Sequence, residues 1–479
     1  MGVKGRISWN KKMRESYTIL PVPAGDVSGI ASALYELGGM VVIHDPSGCN
    51  STYNTHDELR WYDKESDIFI SGLNMRDAVL GNDRKFISDI VEAAETLSKE
   101  RAVEETASKT DAGSQAKRSD SGRPNFIAIC NSPVPYLNGT DFTGICKIVE
   151  KETGIPTFYV KSNGMHDYIT GVQEAYVALA QKMLGEMLKA IGPVDGNPKL
   201  PPYVTDEENE STNKCENPIR INILGATPLD YGHKDSISSL KKLLNADGFE
   251  VNSVWSLDTD FEEIIRTPNA DVNLVISSAG IPLAEFLKEK LLTPYIIGAP
   301  VTARLNEILC ENIRNAVPSE SDGIEASHED LKTEESYNKF PFSEIKSASK
   351  EKISIIIGES VLSASIAAGI RAGQLEENTS DAAGTNAHDA IVFCPYPYKS
   401  PAMRDEDIYF DGEEELISAL DKVISENPES EIEVIADPLY RPVIPSNVKF
   451  MELPTLAISG RMYRSKFADY FAERGHVWE

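Results

Sequence analysis

Short apolar runs alternate with helix-like segments along most of this chain, and this rhythm is the strongest constraint on its fold. It predicts strands at residues 40–43, 126–129, 219–224, 250–254, 272–276, 353–357 and 390–393, and helices at residues 236–246, 284–291 and 361–371. Strands that alternate with helices form parallel sheets with helices on both faces. The sequence therefore predicts an α/β protein of three doubly wound, Rossmann-like parallel-sheet domains.

Long polar segments interrupt this rhythm and indicate where the domains meet. They lie at residues 104–125, 203–218, 318–350 and 374–388. The second is acidic and is predicted to be an interdomain linker. A chain of 479 residues is long enough for about three domains of about 150 residues each. We therefore expect an N-terminal domain at residues 1–205, a second at 206–320 and a third at 321–479.

The charge and hydropathy patterns exclude several classes of protein. A formal net charge of -28 argues against a nucleic-acid partner, because binding to phosphates needs a basic surface. The acidic residues form either a solvated surface or a docking face for a basic protein. No apolar stretch approaches the roughly 20 residues that span a membrane, and the basic start lacks the apolar core of a secretory signal. The 6 cysteines form no tight disulfide framework, so we expect a cytoplasmic protein.

Two cysteines follow predicted strands of the first domain. Cys49 lies in a Gly48-Cys49 turn just after residues 40–43, and Cys130 follows residues 126–129 directly. Open α/β sheets bind their ligands at the carboxyl ends of the strands. The two thiols therefore suggest a shared metal or cluster site. The alternative is that each is a small residue in a turn beside the core.

Other candidate site residues are fewer and less specific. His166 precedes Asp167 in a loop, where an imidazole suits a proton donor, or is simply a hydrogen-bonded loop residue. Ser277 and Ser278 follow a strand of the second domain and either bind a substrate or mark an empty cavity. His388 lies in a polar insertion and is predicted to be solvated.

The motifs of the first domain resemble those of the nitrogenase component 1 family. They occur in the order Pro23-Ala24-Gly25-Asp26, Ser47-Gly48-Cys49, residues 75–82, Cys130 and Asn138-Gly139-Thr140-Asp141. That family includes the molybdenum-iron protein subunits, cofactor-assembly scaffolds and dark-operative protochlorophyllide reductase subunits. The resemblance covers most of the chain, is specific in the first domain and weakens later to the strand-helix rhythm.

This resemblance implies an iron-sulfur cluster at Cys49 and Cys130, with Gly48 in the cluster-binding turn. Where the family has an earlier cysteine, this sequence has Pro21, so one cluster ligand is missing. Two thiols cannot ligate the four irons of a 4Fe-4S cluster. The resemblance therefore implies a cluster shared across the interface of a homodimer, or of a heteromer with a related component 1 subunit. Asp26 or Asp45 is an alternative oxygen ligand.

The implied activity is that of an oxidoreductase. Such a subunit takes electrons from an ATP-dependent iron-sulfur reductase and reduces a substrate that the sequence does not identify. The alternatives are a metallocofactor assembly scaffold or carrier without turnover, and a binding protein without a cluster. The segment at residues 274–280 corresponds to the one that carries a cysteine ligand in the dinitrogen-reducing subunit, but it has no cysteine. No histidine near the carboxyl end matches that of the family. Both departures argue against an iron-molybdenum cofactor and against dinitrogen reduction.

Overall fold

The computed structural model describes residues 19–46, 67–108, 122–189, 218–317, 339–346, 350–373 and 388–472. Within these ranges every sheet is fully parallel, and three sheets follow one another along the chain. The predicted α/β fold with three parallel-sheet domains is therefore confirmed. The predicted boundaries at residues 205/206 and 320/321 fall outside the described ranges and stay predictions, as do Gly48 and Cys49.

The first sheet is covered by helices on both faces. Its strands are β1 (Met40–His44), β2 (Ile68–Ile70), β3 (Ile127–Asn131) and β4 (Thr157–Tyr159). Its helices are α1 (Asp26–Leu34), α2 (Met75–Leu80), α3 (Asp83–Ser108), α4 (Pro133–Leu137), α5 (Phe142–Thr153) and α6 (Tyr168–Lys189). The strand order is β2-β1-β3-β4. Alternate residues of β1 and β3 pack against α1 and α6 on one face and against α3 and α5 on the other.

The second sheet has the strand order β6-β5-β7-β8. Its strands are β5 (Arg220–Ala226), β6 (Glu250–Ser256), β7 (Val272–Val275) and β8 (Tyr295–Ile297). Its helices are α7 (Pro228–Tyr231), α8 (Lys234–Ala246), α9 (Phe261–Ile265), α10 (Ile281–Leu291) and α11 (Ala303–Ala316).

The third sheet has the order β11-β10-β9-β12-β13. Its strands are β9 (Lys352–Ile357), β10 (Asp389–Cys394), β11 (Ile408–Tyr409), β12 (Glu431–Ala436) and β13 (Lys449–Glu452). Its helices are α12 (Ser360–Arg371), α13 (Glu413–Glu426) and α14 (Leu456–Ser459). A core continuous across the three domains includes side chains of α1, α6, β5, β7 and α12. Of the helices in the described ranges, none is long and apolar enough to cross a membrane.

The buried carboxylate of Glu433 on β12 contacts side chains from both neighbouring strands of the third sheet. Glu433 accepts a hydrogen bond from Ser354 at 2.6 Å and lies 3.1 Å from the ammonium groups of both Lys352 and Lys449. His388, predicted to be solvated, is in fact buried and lies 2.8 Å from the Ser354 hydroxyl. That prediction was wrong because His388 immediately precedes β10 and lies against Ser354 of the neighbouring strand β9.

The charge of Glu433 stabilises the fold above acid pH. Burial alone raises its pKa, but the Ser354 hydrogen bond and the two lysine charges outweigh it and hold the pKa below 4.5. A carboxyl whose pKa is lowered by folding contributes stability that is present above 4.5 and is lost as the pH falls through the folded value.

We expect Glu433→Gln to lower the free energy of unfolding by about 2 kcal/mol at neutral pH. This is less than the cost of breaking a fully buried ion pair, because Lys449 is half exposed and regains water. The matched control is Glu431→Gln, an exposed position on the same strand. Urea denaturation at neutral pH and below pH 4.5 measures the effect. An equal loss at both pH values would contradict the charge-based account.

Candidate functional site

The carboxyl edge of the first sheet brings the two cysteine-bearing strand ends side by side. β1 and β3 are neighbours, with Ile43 paired to Cys130 and His44 paired to Asn131. The segment that carries Cys49 therefore leaves β1 next to Cys130. Cys49 itself lies outside the described residues, so its distance from Cys130 stays a prediction.

Cys130 is completely buried on the face of the sheet that packs against α1 and α6. Burial raises the pKa of its thiol far above the ordinary value, and the nearby carboxylates of Asp26 and Asp45 raise it further. The thiol is therefore held neutral in the protein as described. Forming the thiolate there requires a cation to offset those two negative charges.

The described residues do not by themselves complete an iron-sulfur site. Within the described ranges, no three His, Cys, Asp or Glu side chains are arranged to hold a metal. The cysteines in those ranges are free and buried, and Cys146 and Cys310 lie within the helices α5 and α11. Cys130 thus offers one thiol of the kind that such a cluster needs. The other ligands of the cluster would have to come from residues 47–66 or from a second chain.

Asp26 is already engaged with the backbone of a neighbouring loop. Its carboxylate accepts hydrogen bonds from the N–H groups of Val27 at 2.7 Å, Asn163 at 3.0 Å and Gly164 at 3.1 Å. His166 lies 3.8 Å away and is 55% exposed. The arrangement argues against Asp26 as a metal ligand. It places His166 at the surface of the same edge.

His44, the last residue of β1, has a structural role. Its ring stacks on Phe86 with centroids 3.7 Å apart, and Nδ1 lies 2.9 Å from the Ser71 hydroxyl. Burial lowers its pKa to about 4, so the ring is neutral at physiological pH. It fixes the start of the segment that leads to Cys49.

The same edge exposes an apolar surface formed by α2 and α4. The two helices are joined by a hydrogen bond from the Asn138 side chain to the Ala78 carbonyl. The exposed side chains of this α2–α4 surface are Met75 (86%), Val79 (71%), Leu80 (72%), Tyr136 (52%) and Leu137 (77%). A group of neighbouring exposed apolar side chains more often marks a surface that contacts another molecule than one that stays in solvent. Sequence reasoning missed this surface, because apolar residues at positions 75 and 79 have the spacing of a buried helix face.

A second site lies where the three domains meet. Tyr168 of the first domain donates a hydrogen bond to Asp230 of the second, and Ser277 donates to the other oxygen of Asp230 at 2.8 Å. Glu359 of the third domain accepts a hydrogen bond from the Ser278 N–H at 2.9 Å. Ser277 and Ser278 therefore lie at a domain junction, and Asp230 and Glu359 are site residues that the sequence did not indicate.

This junction encloses a small cavity with Tyr168, Asp230 and Glu359 in its wall. Its volume of about 20 Å³ leaves room for about one water molecule. Burial, and then the charge of Glu359, raise the pKa of Asp230 well above 3.8. Within the described ranges, the hydroxyl of Ser278 is buried without a hydrogen-bond partner. A substrate larger than water therefore fits this junction only if the domains move apart.

Comparisons with known proteins agree with this architecture. A model of the family described as nitrogenase component 1 type oxidoreductase matches residues 117–361, just over half of the chain. The chain is 36% identical over 101 residues to one of the subunits of light-independent protochlorophyllide reductase from Leptolyngbya boryana, covering 20% of each chain. It is 31% identical over 90 residues to the same kind of subunit from Acidiphilium rubrum, covering 18% of each. The matched segments thus span about a fifth of these relatives.

Solved structures extend the likeness in fold to nearly the whole chain. The structure of nitrogenase Cp1 at pH 5 superposes with a TM-score of 0.52 and 15% identity, covering 96% of this chain and 87% of that one. The same protein at pH 6.5 gives a TM-score of 0.53 and 13% identity, covering 96% and 92%. At this identity the superposition establishes the fold alone.

Proposed function

The chain belongs to the nitrogenase component 1 type oxidoreductase family, and from this membership we propose that it is the substrate-reducing subunit of a nitrogenase-like enzyme. It takes electrons from an ATP-dependent iron-sulfur reductase through a 4Fe-4S cluster at a subunit interface. Cys49 and Cys130 supply its thiols from this chain. When bound, such a cluster accepts and passes single electrons.

The observation that carries this proposal is the coincidence of two features at one edge of the first sheet. Cys130 and the start of the segment with Cys49 lie there side by side, and the exposed α2–α4 surface lies at the same edge. A second copy, or a related subunit, that packs on this surface buries its apolar side chains. It also brings a second set of thiols to the first, which a cluster with only two ligands per chain requires.

The site does not identify the substrate. The relatives are named for protochlorophyllide reduction, but the closed junction cavity holds about one water molecule. Ser277 is occupied by its hydrogen bond to Asp230 and offers no thiol to a metallocofactor. This supports the interpretation that the chain is not a dinitrogen reductase.

Metal analysis and ATP hydrolysis together test the function. We expect the anaerobically purified chain to contain iron and acid-labile sulfide, and to stimulate ATP hydrolysis by an iron-sulfur reductase while a substrate is reduced. A cluster that is reduced without any turnover would favour the alternative of an assembly scaffold or carrier. Iron and sulfide at background would refute a cluster-bearing enzyme and favour a binding protein.

The subunit interface makes a separate prediction. We expect the double variant Val79→Asp, Leu137→Asp to dissociate a dimer, because two charges would be buried in an apolar contact. The dissociation constant should rise by at least about 100-fold. Sedimentation velocity measures this directly.

The matched control is Val103→Asp, since Val103 is 69% exposed. It lies on α3 close to Arg101, which donates a hydrogen bond to the Gly38 carbonyl at the opposite edge of the sheet. It should leave the oligomer unchanged. If both variants sediment like the wild type, the α2–α4 surface is not part of the interface.

A further inference from the structure

The junction of the three domains holds two buried carboxyl groups with different surroundings. Glu359 accepts hydrogen bonds from the N–H groups of Ser278 at 2.9 Å, Val361 at 3.0 Å and Leu362 at 2.9 Å. It also caps the N-terminus of α12, where the helix dipole favours a negative charge. Each of these contacts favours a negative charge at this position, because a backbone N–H group can only donate a hydrogen bond.

Asp230 has far less support for a charge. Its hydrogen-bond donors are the hydroxyls of Tyr168 and Ser277, and it shares the cavity wall with Glu359. Among the described residues, that wall carries no Lys, Arg or His. A second negative charge in an enclosed space beside the first is strongly disfavoured. Asp230 is therefore the group that retains a proton.

Each domain contributes one of the groups that close the cavity. The hydrogen bond between Tyr168 and Asp230 joins the first domain to the second, and the bond from Ser278 to Glu359 joins the second to the third. Tyr168 also packs edge to face on Tyr396 of the third domain, with ring centroids 5.2 Å apart. Because both carboxyl groups lie in these links, ionisation of Asp230 acts directly on the contacts that hold the junction shut.

We propose that this junction is a proton-controlled gate. While Asp230 is neutral, the three domains stay closed over the cavity; when it loses its proton, the carboxylates of Asp230 and Glu359 repel each other and the domains separate. The molecule admitted is uncharged or cationic, because an anion would meet two carboxylates without a balancing base. As a substrate gate this rests on the proposed function, whereas the opening itself needs neither cluster nor reductase.

The other titratable groups that face Asp230 do not compete for this role. They are the phenols of Tyr168, Tyr231, Tyr396 and Tyr470 and the thiol of Cys394, and burial raises the pKa of each. Asp437 also lines the cavity. Its oxygens accept the N–H groups of Leu439 at 3.0 Å and Thr455 at 2.8 Å, all within the third domain. Burial raises its pKa as well, but it joins no two domains. It is therefore a control for a buried carboxyl group that lies outside the links between domains.

Hydrogen exchange measured by mass spectrometry from about pH 5 to about pH 8 tests the gate on the full chain. The reporters are the Ser278, Val361 and Leu362 amides, corrected for intrinsic exchange. Because folding raises the pKa of Asp230, the closed state is favoured at low pH and loses stability as the pH rises above 3.8 toward the folded value. We expect protection to fall by up to about tenfold per pH unit while the pH lies between 3.8 and the folded value.

Three variants distinguish opening of the gate from a general loss of stability. Asp230→Asn should make protection independent of pH, whereas Asp437→Asn should keep the wild-type slope. Ser277→Ala removes a donor that lowers the pKa of Asp230. Because a higher folded pKa lets the closed state keep losing stability as the pH rises, protection in this variant should fall below that of the wild type at the upper end of the range and approach it at the lower end. It also provides the test if Asp230→Asn fails to fold. A wild type without pH dependence, an unchanged slope in Asp230→Asn, or an equal loss of protection at every pH in Ser277→Ala would each overturn the gate. Failure of the metal or ATP assays would leave these outcomes unaffected.

Discussion

Gly171→Ala is expected to lower the free energy of unfolding by about 3 to 4 kcal/mol. A Cβ atom at Gly171 of α6 would lie 2.0 Å from the carbonyl oxygen of Asp26 in α1. At Gly29 of α1 the reciprocal contact places a Cβ 2.2 Å from the carbonyl oxygen of Tyr168. The two helices thus meet backbone to backbone at both points. Since the obstructing atoms are main-chain atoms, only separation of the helices can relieve the overlap.

That separation would reach both candidate sites. Asp26 holds the loop that contains Asn163 and Gly164, and Tyr168 donates to Asp230 at the domain junction. Cys130 packs in the same core as α1 and α6. We therefore expect the variant to lose protection at the junction together with stability.

Gly185→Ala is the matched control on the same helix. No atom lies within 4 Å of a Cβ built there, and Gly185 is exposed. Alanine favours a helix over glycine by up to about 1 kcal/mol, so this variant should be slightly more stable than the wild type. Urea denaturation of the three proteins under one condition measures both effects. Equal stability of the two variants would contradict the backbone contact between α1 and α6.

The elements of the fold could be predicted because their signals are local. The predicted helix at residues 361–371 is observed as Ser360–Arg371, and the predicted strand at 272–276 as Val272–Val275. The strand predicted at residues 219–224 continues to Ala226. Gly225 adopts a positive φ of 85° within the strand and lies against the Ser277 backbone. A single glycine does not reveal from sequence alone whether it ends a strand or lets a neighbour approach.

The candidate sites could be predicted only in part, because the contacts that form them join residues far apart in sequence. Ser277 was correctly placed at a strand end, but its partner Asp230 lies 47 positions away in sequence. Asp230 is an isolated acid after Pro228, and its link to Tyr168 spans 62 positions. Such pairs are set by how whole domains pack, and one sequence carries no periodic signal for them. The burial of His388 could not be predicted for the same reason, since it depends on contacts with another strand.

Cys49→Ser is expected to abolish the iron content of the protein while the fold survives. Serine offers a hard oxygen in place of the soft thiolate that iron in such clusters requires. We expect iron and acid-labile sulfide to fall by more than about tenfold, since even changes outside the ligand shell of a metal can cost that much affinity. The three parallel-sheet cores should keep the unfolding transition, because the apolar area that stabilises them is buried by many other residues. Iron analysis and the paramagnetic spectrum of the reduced protein measure the loss.

Two further cysteines show whether the effect is specific. Cys130→Ala should lose iron as Cys49→Ser does, because the paired strands place it at the same edge. Cys146→Ala should keep it, since Cys146 lies on α5 and packs in the core on the other face of the sheet. Full iron and an unchanged spectrum in Cys49→Ser would refute the ligand assignment. Loss of iron from all three variants would mean that the cluster responds to core damage in general.

Dimerisation and iron content should also fall together. The variant Val79→Asp, Leu137→Asp leaves every cysteine in place but is expected to be a monomer. If the cluster is shared, each separated chain keeps only its own two thiols, and two thiols leave a four-iron cluster with open positions exposed to water. We therefore expect this variant to lose iron although no ligand has been changed. A monomer that retains a complete four-iron cluster would show that one chain supplies all the ligands, and would refute sharing across the interface.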